Sequence, residues 1–168
     1  SFVGQRSSTW YRPEAEMQVL DQRGKSAVIF ELQGSLFFGT THQLYLTLEP
    51  ELETAEYLIL DMQRVQSVDV TAAHMLHLVR DVLAERDAPL LLSNVRESLP
   101  NGRNLREFLE LAGVVSDDEK VIIMPTLEAA IEWVEDRLLA QLGKADVDAP
   151  PLELHEIRLF KGSKPETL

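Results

Sequence analysis

Residues 58–76 read Leu58-Ile59-Leu60-Asp61-Met62-Gln63-Arg64-Val65-Gln66-Ser67-Val68-Asp69-Val70-Thr71-Ala72-Ala73-His74-Met75-Leu76, an apolar run, a polar turn, and then helical spacing. The apolar residues Tyr57 to Leu60 predict a strand buried on both faces, with Val65 and Val68 tucking the following loop back under the sheet. Asp69 or Thr71 then caps a helix. Its apolar stripe is Ala72, Met75, Leu76, Val79 and Leu83, so His74, His77, Arg80, Asp81 and Glu85 are expected to lean outward. The N-terminus of that helix points free N–H groups at solvent, where an anion or a partner can meet them.

The chain has 168 residues, 45% of them hydrophobic, which suits one domain with extensions. Acidic residues outnumber basic ones 28 to 16, for a formal charge of −12. Coulomb repulsion at that charge opposes a polyphosphate backbone, and nucleic acid is not an expected partner. With no cysteine, disulfides and thiolate zinc sites are excluded. No run of about 20 apolar residues is present, and the N-terminal stretch lacks the apolar core of a signal peptide. The chain opens on Ser1-Phe2-Val3-Gly4 without Met and closes just after a new element begins, so a piece of a longer protein is expected.

Before the central stretch, residues 1–16 lack periodicity and read as an extended arm. Its adjacent aromatics Trp10 and Tyr11 either pack on the domain surface or meet a partner. Met17, Val19 and Leu20 mark a first strand, the polar residues 21–25 a turn, and Ala27 to Leu32 a second strand, together a hairpin. Gly34 and Gly39 bracket an apolar patch at a strand end, where small residues permit a bulge. Of Phe37 and Phe38, which point opposite ways if extended, one is expected in the core; the other is a surface anchor or a second core layer. Thr40 or Thr41 caps a helix from His42 to about Leu48, which Pro50 and its acidic neighbours interrupt or restart.

Beyond it, Pro89 to Ser93 read as a short buried strand reached by a right-handed crossover. Residues 94–103 form a loop, and Asn104 with Glu107 resembles a capping box for a helix running to Ala112, closed by Gly113. Val121 to Met124 is the last strand of the domain, and Thr126 caps a long helix with the stripe Leu127, Ala130, Ile131, Val134 and Leu138. Trp133 falls beside that stripe, over a core edge or on a contact surface. The Asp-, Ala- and Pro-containing stretch 143–151 reads as a linker, and apolar spacing resumes over 152–168.

Three of these segments carry a resemblance. The strand, Asp and turn with Val68-Asp69-Val70-Thr71-Ala72, the stretch Gly34-Ser35-Leu36-Phe37-Phe38-Gly39, and Arg12-Pro13-Glu14 before the first strand together resemble the STAS domain of sulphate transporters and anti-sigma-factor antagonists. The paired Phe is similar to the SulP-type transporter branch. Over about residues 12–142 the resemblance implies an α/β fold: a mixed sheet opening on an antiparallel hairpin, covered by helices mainly on one face. It also implies a cytosolic regulatory role, with the arm 1–16 leading from a membrane domain and residues 17–142 as the STAS unit. The end of the chain, with Leu159-Phe160-Lys161-Gly162 and Pro165-Glu166-Thr167-Leu168, resembles the opening helix of a cyclic-nucleotide-binding domain without its Gly-rich phosphate cassette.

In antagonists of that family, the residue after the Asp is the Ser that a partner kinase phosphorylates. Here it is Val70, which has no hydroxyl, and Thr71 reads as a helix cap. No phosphate-loop or dinucleotide motif occurs, the spacing of His74, His77 and Asp81 is that of a solvated helix face rather than a metal site, and no serine, histidine and acid form a triad. A non-enzymatic domain without cofactor is therefore expected. Its candidate regulatory residues are Asp69, Val70, Thr71, Asn94, Arg96, Asn101, Arg103 and Asn104, where two helix N-termini meet beyond the strand ends and a small anion or nucleotide can sit. Its candidate interaction surface is Trp10, Tyr11, Phe38 and Trp133. The expected partners are the membrane domain of the same polypeptide, a second copy of the chain or a cytosolic regulatory protein. The alternative reading is a soluble antagonist-like signalling module or an anion sensor.

Overall fold

The computed structural model describes residues 15–22, 25–145 and 158–161, with side chains from 27 to 141. Six strands form one sheet among them: β1 (Ala15–Gln22), β2 (Lys25–Leu36), β3 (Tyr57–Val68), β4 (Leu90–Ser93), β5 (Val121–Met124) and β6 (Arg158–Lys161). Their spatial order is β5-β4-β3-β2-β1-β6. β1 runs antiparallel to β2 from Ala15 opposite Leu32 to Gln22 opposite Lys25, and β2 to β5 are mutually parallel. Helices α1 (Phe38–Leu52), α2 (Val70–Ala84) and α3 (Leu105–Leu111) make the three parallel crossovers, and α4 (Leu127–Ala145) follows β5.

Strand side chains alternate between faces, and the core divides accordingly. Val28, Phe30 and Leu32 of β2, Leu58 and Leu60 of β3, and Leu90 and Leu92 of β4 pack against α1, α2 and α3. Ala27 and Ile29, Tyr57 and Ile59, and Leu91 meet Ala130, Val134 and Leu138 of α4 on the other face. Three helices thus cover one face and a single long helix the other. Side chains such as Ile59 and Leu60, wholly buried, each contribute about 1.5–3 kcal/mol by leaving water.

The central strand is longer than expected. The polar residues after Leu60 are not a loop: β3 continues to Val68, pairing Arg64 with Gln33, Val65 with Gly34 and Val68 with Leu36 across two register shifts. Gly34 makes this possible, since its φ of 83° lies in the left-handed region that glycine enters without a Cβ clash. Val65 and Val68 are buried as expected, but from within the sheet. α4 covers Ile59 and its neighbours on the second face, while Gln63, Arg64 and Gln66 further along β3 are exposed.

Other expectations are corrected. α1 begins at Phe38, not His42, and passes through Pro50 to Leu52. The missing proline N–H costs little this close to the helix end, and the carbonyl one turn back belongs to Leu46, an exposed residue that water can reach. Neither phenylalanine is core: Phe37 is 50% and Phe38 77% exposed. Phe37 occupies the extended cap position and Phe38 the first helical one, where side chains precede the buried stripe Leu44, Leu48 and Leu52. His77 and Arg80 do not simply lean outward. A ring nitrogen of His77 lies 2.8 Å from the Ala112 carbonyl, and Arg80 donates to the carbonyls of Gly113 and Val114, so both hold the turn after α3. In the C-terminal segment, where a helix was expected, Arg158–Lys161 is a strand paired antiparallel with β1.

Candidate functional site

The C-terminal ends of β2, β3 and β4 gather most of the chemistry outside the core. Asp61 and Asp69, both on or just after β3, organise it.

Asp61 is nine-tenths buried. Its Oδ1 accepts from the Ser93 hydroxyl and the Asn94 side-chain amide, each at 2.7 Å, and so ties the end of β4 to β3. Asn94 holds φ at 55°, a left-handed value that asparagine tolerates better than most residues. Sequence reasoning missed Asp61 as an organising residue. The available signal was an aspartate embedded in an apolar strand, which is uncommon unless its carboxylate is satisfied.

Asp69 is the cap of α2. Its Oδ1 accepts from the N–H groups of Thr71 at 2.9 Å and Ala72 at 3.2 Å, and from the Thr71 hydroxyl. Its own N–H donates to the Leu36 carbonyl, which joins the ends of β2 and β3. Partial desolvation raises its pKa, but donation from the Thr71 hydroxyl and from the N–H groups of Ala72, Thr71 and Phe38 outweighs this and holds it below the usual carboxylate range. One carboxylate therefore sits between the N-termini of α1 and α2. Thr71 spends its hydroxyl on Asp69 rather than offering it to solvent. Val70 is 73% exposed at the first position of α2.

The two helices present matching stripes. On α1 the exposed residues Phe38, His42, Leu46 and Glu49 follow one another by four, four and three. On α2, Val70, His74, Leu78 and Asp81 do the same. These spacings keep each set on one helix face, and the helices pack side by side. With Phe37, the outward face of the pair starts in three exposed apolar residues around the Asp69 cap.

On the same strand ends lies an open cleft of about 610 Å³ lined by Gln33, Gly34, Ser35, Phe37, Thr40, Gln63, Arg64, Gln66, Arg96 and Pro100. The structure brings only Arg96 of the sequence-predicted binding residues into it. Arg96 donates through Nη2 to the Val65 carbonyl, anchoring the loop after β4 to the extended half of β3. Arg103 is engaged elsewhere, 5.1 Å above the Phe108 ring, as is the nearby Arg106, which faces Glu110 at 3.4 Å. Asn101 accepts from the Arg103 N–H, a turn contact, and Asn104 caps α3 by accepting from Glu107 at 2.9 Å. Trp133 covers the edge of the second core, edge-on to Tyr57 at 6.1 Å, with Arg137 4.3 Å over its ring. Trp10 and Tyr11 lie outside the described residues. Among the described residues, no cluster of His, Asp and Glu could hold a metal, and no helix is long and apolar enough to cross a membrane.

Curated relatives match the chain at modest identity. The chain is 29% identical over 137 residues to Glutaminase 2 of Bradyrhizobium diazoefficiens, covering 82% of this chain and 21% of that protein. It is 27% identical over 145 residues to the vacuolar basic amino acid transporter VSB1 of Saccharomyces cerevisiae, covering 80% of this chain and 13% of the transporter. The chain thus spans about a quarter or less of the curated relatives it matches. Among solved structures, a sulfate transporter family protein from Wolinella succinogenes superposes with a TM-score of 0.54 at 25% identity, over 67% of this chain and 87% of that one. The family profile described as STAS domain matches residues 18–117, more than half of the chain, from within β1 to beyond α3. The chain belongs to the STAS domain family.

Proposed function

We propose that this chain is the cytosolic regulatory domain of a SulP-like anion transporter and acts, without catalysis, by docking against the membrane domain of the same polypeptide. In this reading residues 1–16 lead from the membrane domain, 17–142 form the STAS unit, 143–151 link onward, and 152–168 start a further element. The observation that carries it is the exposed apolar start of the paired helices, Phe37, Phe38 and Val70. Large apolar side chains at such exposure, adjacent to one another, are a feature of surfaces that meet a partner. The likeness to a transporter and to a sulfate transporter family structure, and the small share of its relatives that the chain spans, support a membrane domain as that partner.

The antagonist-like alternative is disfavoured on two counts. Val70 holds the position at which the antagonists carry their phosphorylated serine, and Thr71, the nearest hydroxyl, is bonded to Asp69.

The segment contains no cysteine, so Phe38→Cys in the full-length polypeptide gives a single addressable thiol on this domain. A short photoactivatable cross-linker attached there is expected to join this domain to the membrane-spanning part of the protein. Adducts exclusively with soluble proteins, or none at all, would overturn the docking reading.

A further inference from the structure

We propose that the cleft between the extended half of β3 and the loop after β4 binds a small organic anion. Arg64 and Arg96 hold the phosphate or carboxylate head, and the apolar body lies against Phe37 and Pro100. This site borders the docking surface at Phe37, but its two arginines lie on β3 and on the loop after β4, and it does not depend on what the stripes of α1 and α2 meet.

Charge is the first argument. The chain carries 28 acidic residues against 16 basic ones, yet the ten residues lining the cleft include two arginines and neither an aspartate nor a glutamate. A local cationic concavity in an acidic protein selects for anions, because the surrounding field repels them everywhere else.

The unspent donors are the second. Arg96 uses Nη2 on the Val65 carbonyl, while its Nε is buried with no partner among the described residues. A buried donor left unsatisfied is costly, and cationic ones especially so. Arg64 makes no hydrogen bond or ion pair among the described residues, and it projects from a strand, not a loop. A planar guanidinium with free N–H groups suits an oxyanion in a way a lysine would not. Gln63, Gln66 and Ser35 add neutral donors around the same space.

Shape is the third. The cleft exists because Gly34 allows β2 and β3 to continue together past the bulges, where α4 no longer covers the sheet. A volume of about 610 Å³ is within the range of small-molecule sites, roughly 300–1,000 Å³, which combine apolar walls with a few placed polar groups. Phe37, half exposed, supplies such a wall at the rim.

The test is a titration of the isotope-labelled 168-residue chain, followed by backbone amide shifts at constant ionic strength. The probes are phenyl phosphate, benzoate and inorganic phosphate, with benzyl alcohol as the uncharged control. Saturable shifts are expected at residues 33–35, 63–66 and 96 for the anions and none for the alcohol. Phenyl phosphate binding tighter than benzoate would identify the head as a phosphate, and the reverse order a carboxylate. Arg64→Gln, on an exposed side chain, is expected to weaken binding at least tenfold. Arg96→Lys, which keeps a donor for the Val65 carbonyl, weakens it severalfold with the amide spectrum otherwise unchanged. Phe37→Ala removes the advantage of phenyl phosphate over inorganic phosphate. Shifts that do not saturate, that map outside the cleft, or that persist unchanged in Arg64→Gln would overturn the proposal.

Discussion

The β2–α1 and β3–α2 turns are two solutions to the same problem. Each leaves a parallel strand through a single extended residue, Phe37 at φ −140° and ψ −177° or Asp69 at φ −130° and ψ −172°. Each then starts a helix on an exposed apolar residue, followed by histidine and leucine one and two turns on. The difference is the side chain at the cap. Asp69 satisfies its own helix, accepting from Thr71 and Ala72. The Phe37 side chain has no acceptor to offer. Its N–H is instead taken by the Thr40 hydroxyl at 3.1 Å, in the manner of the returning half of a capping box, while the Phe38 N–H contributes to holding Asp69 ionised. The first turn has given up a capping side chain for a large apolar one and shares its neighbour's carboxylate, so the two helix starts are coupled.

That asymmetry fixes the largest expected effect. Asp69→Ala removes the cap of α2 and a charge beside the start of α1, and is expected to cost about 2 kcal/mol, the upper end of a single cap. Thr40→Ala touches α1 alone and is expected to cost about 1 kcal/mol. Urea unfolding of both variants decides the point. Equal losses, or a larger loss at Thr40, would mean that the β3–α2 turn does not support its neighbour.

The second turn was legible in the sequence and the first was not, for a physical reason. Asp69 before Val70 and Thr71 is an acceptor followed by a helical stripe, and its local rule reaches only two or three residues. Nothing in Phe37-Phe38 announces a helix start, because the groups that support it come from Thr40 and from a strand end 32 positions away. For the same reason one phenylalanine looked like core: apolarity predicts burial only where a face is available, and the stripe of α1 begins later, at Leu44. The extension of β3 was hidden because alternation fails at its bulges, leaving Gln63 and Arg64 adjacent and both exposed. Arg64 is hidden with it, whereas Arg96, a candidate from sequence alongside Arg103, is the one that a long-range contact brings to the cleft.

A smaller effect follows from the charge on Asp69. Its carboxyl titrates lower in the folded chain than in the unfolded one, so the stabilisation from its ionised form is fully present above the unfolded value, about 4. It is lost as the pH falls through the depressed folded value. Asp69→Asn keeps a capping acceptor but has nothing to titrate. The wild-type chain is expected to exceed this variant in stability at pH 6, with the gap narrowing as the pH falls below about 4. A gap that stays constant from pH 6 to pH 3 would show that the acceptor, and not its charge, supports the turn.

The smallest expected effect bears on what the two turns share. Phe38 and Val70 are 77% and 73% exposed, and residues this open contribute little to the folded state, so Phe38→Ser and Val70→Ser are each expected to change unfolding free energy by no more than about 0.5 kcal/mol. A loss of about 1.5 kcal/mol or more at either would mean that the side chain is covered within the chain itself, as burial of that much apolar surface requires. Near-neutral stability has the opposite consequence. Two neighbouring turns that differ in their side-chain capping contacts then agree in presenting an apolar residue to solvent at no benefit to the fold, which is what the docking proposal requires of them.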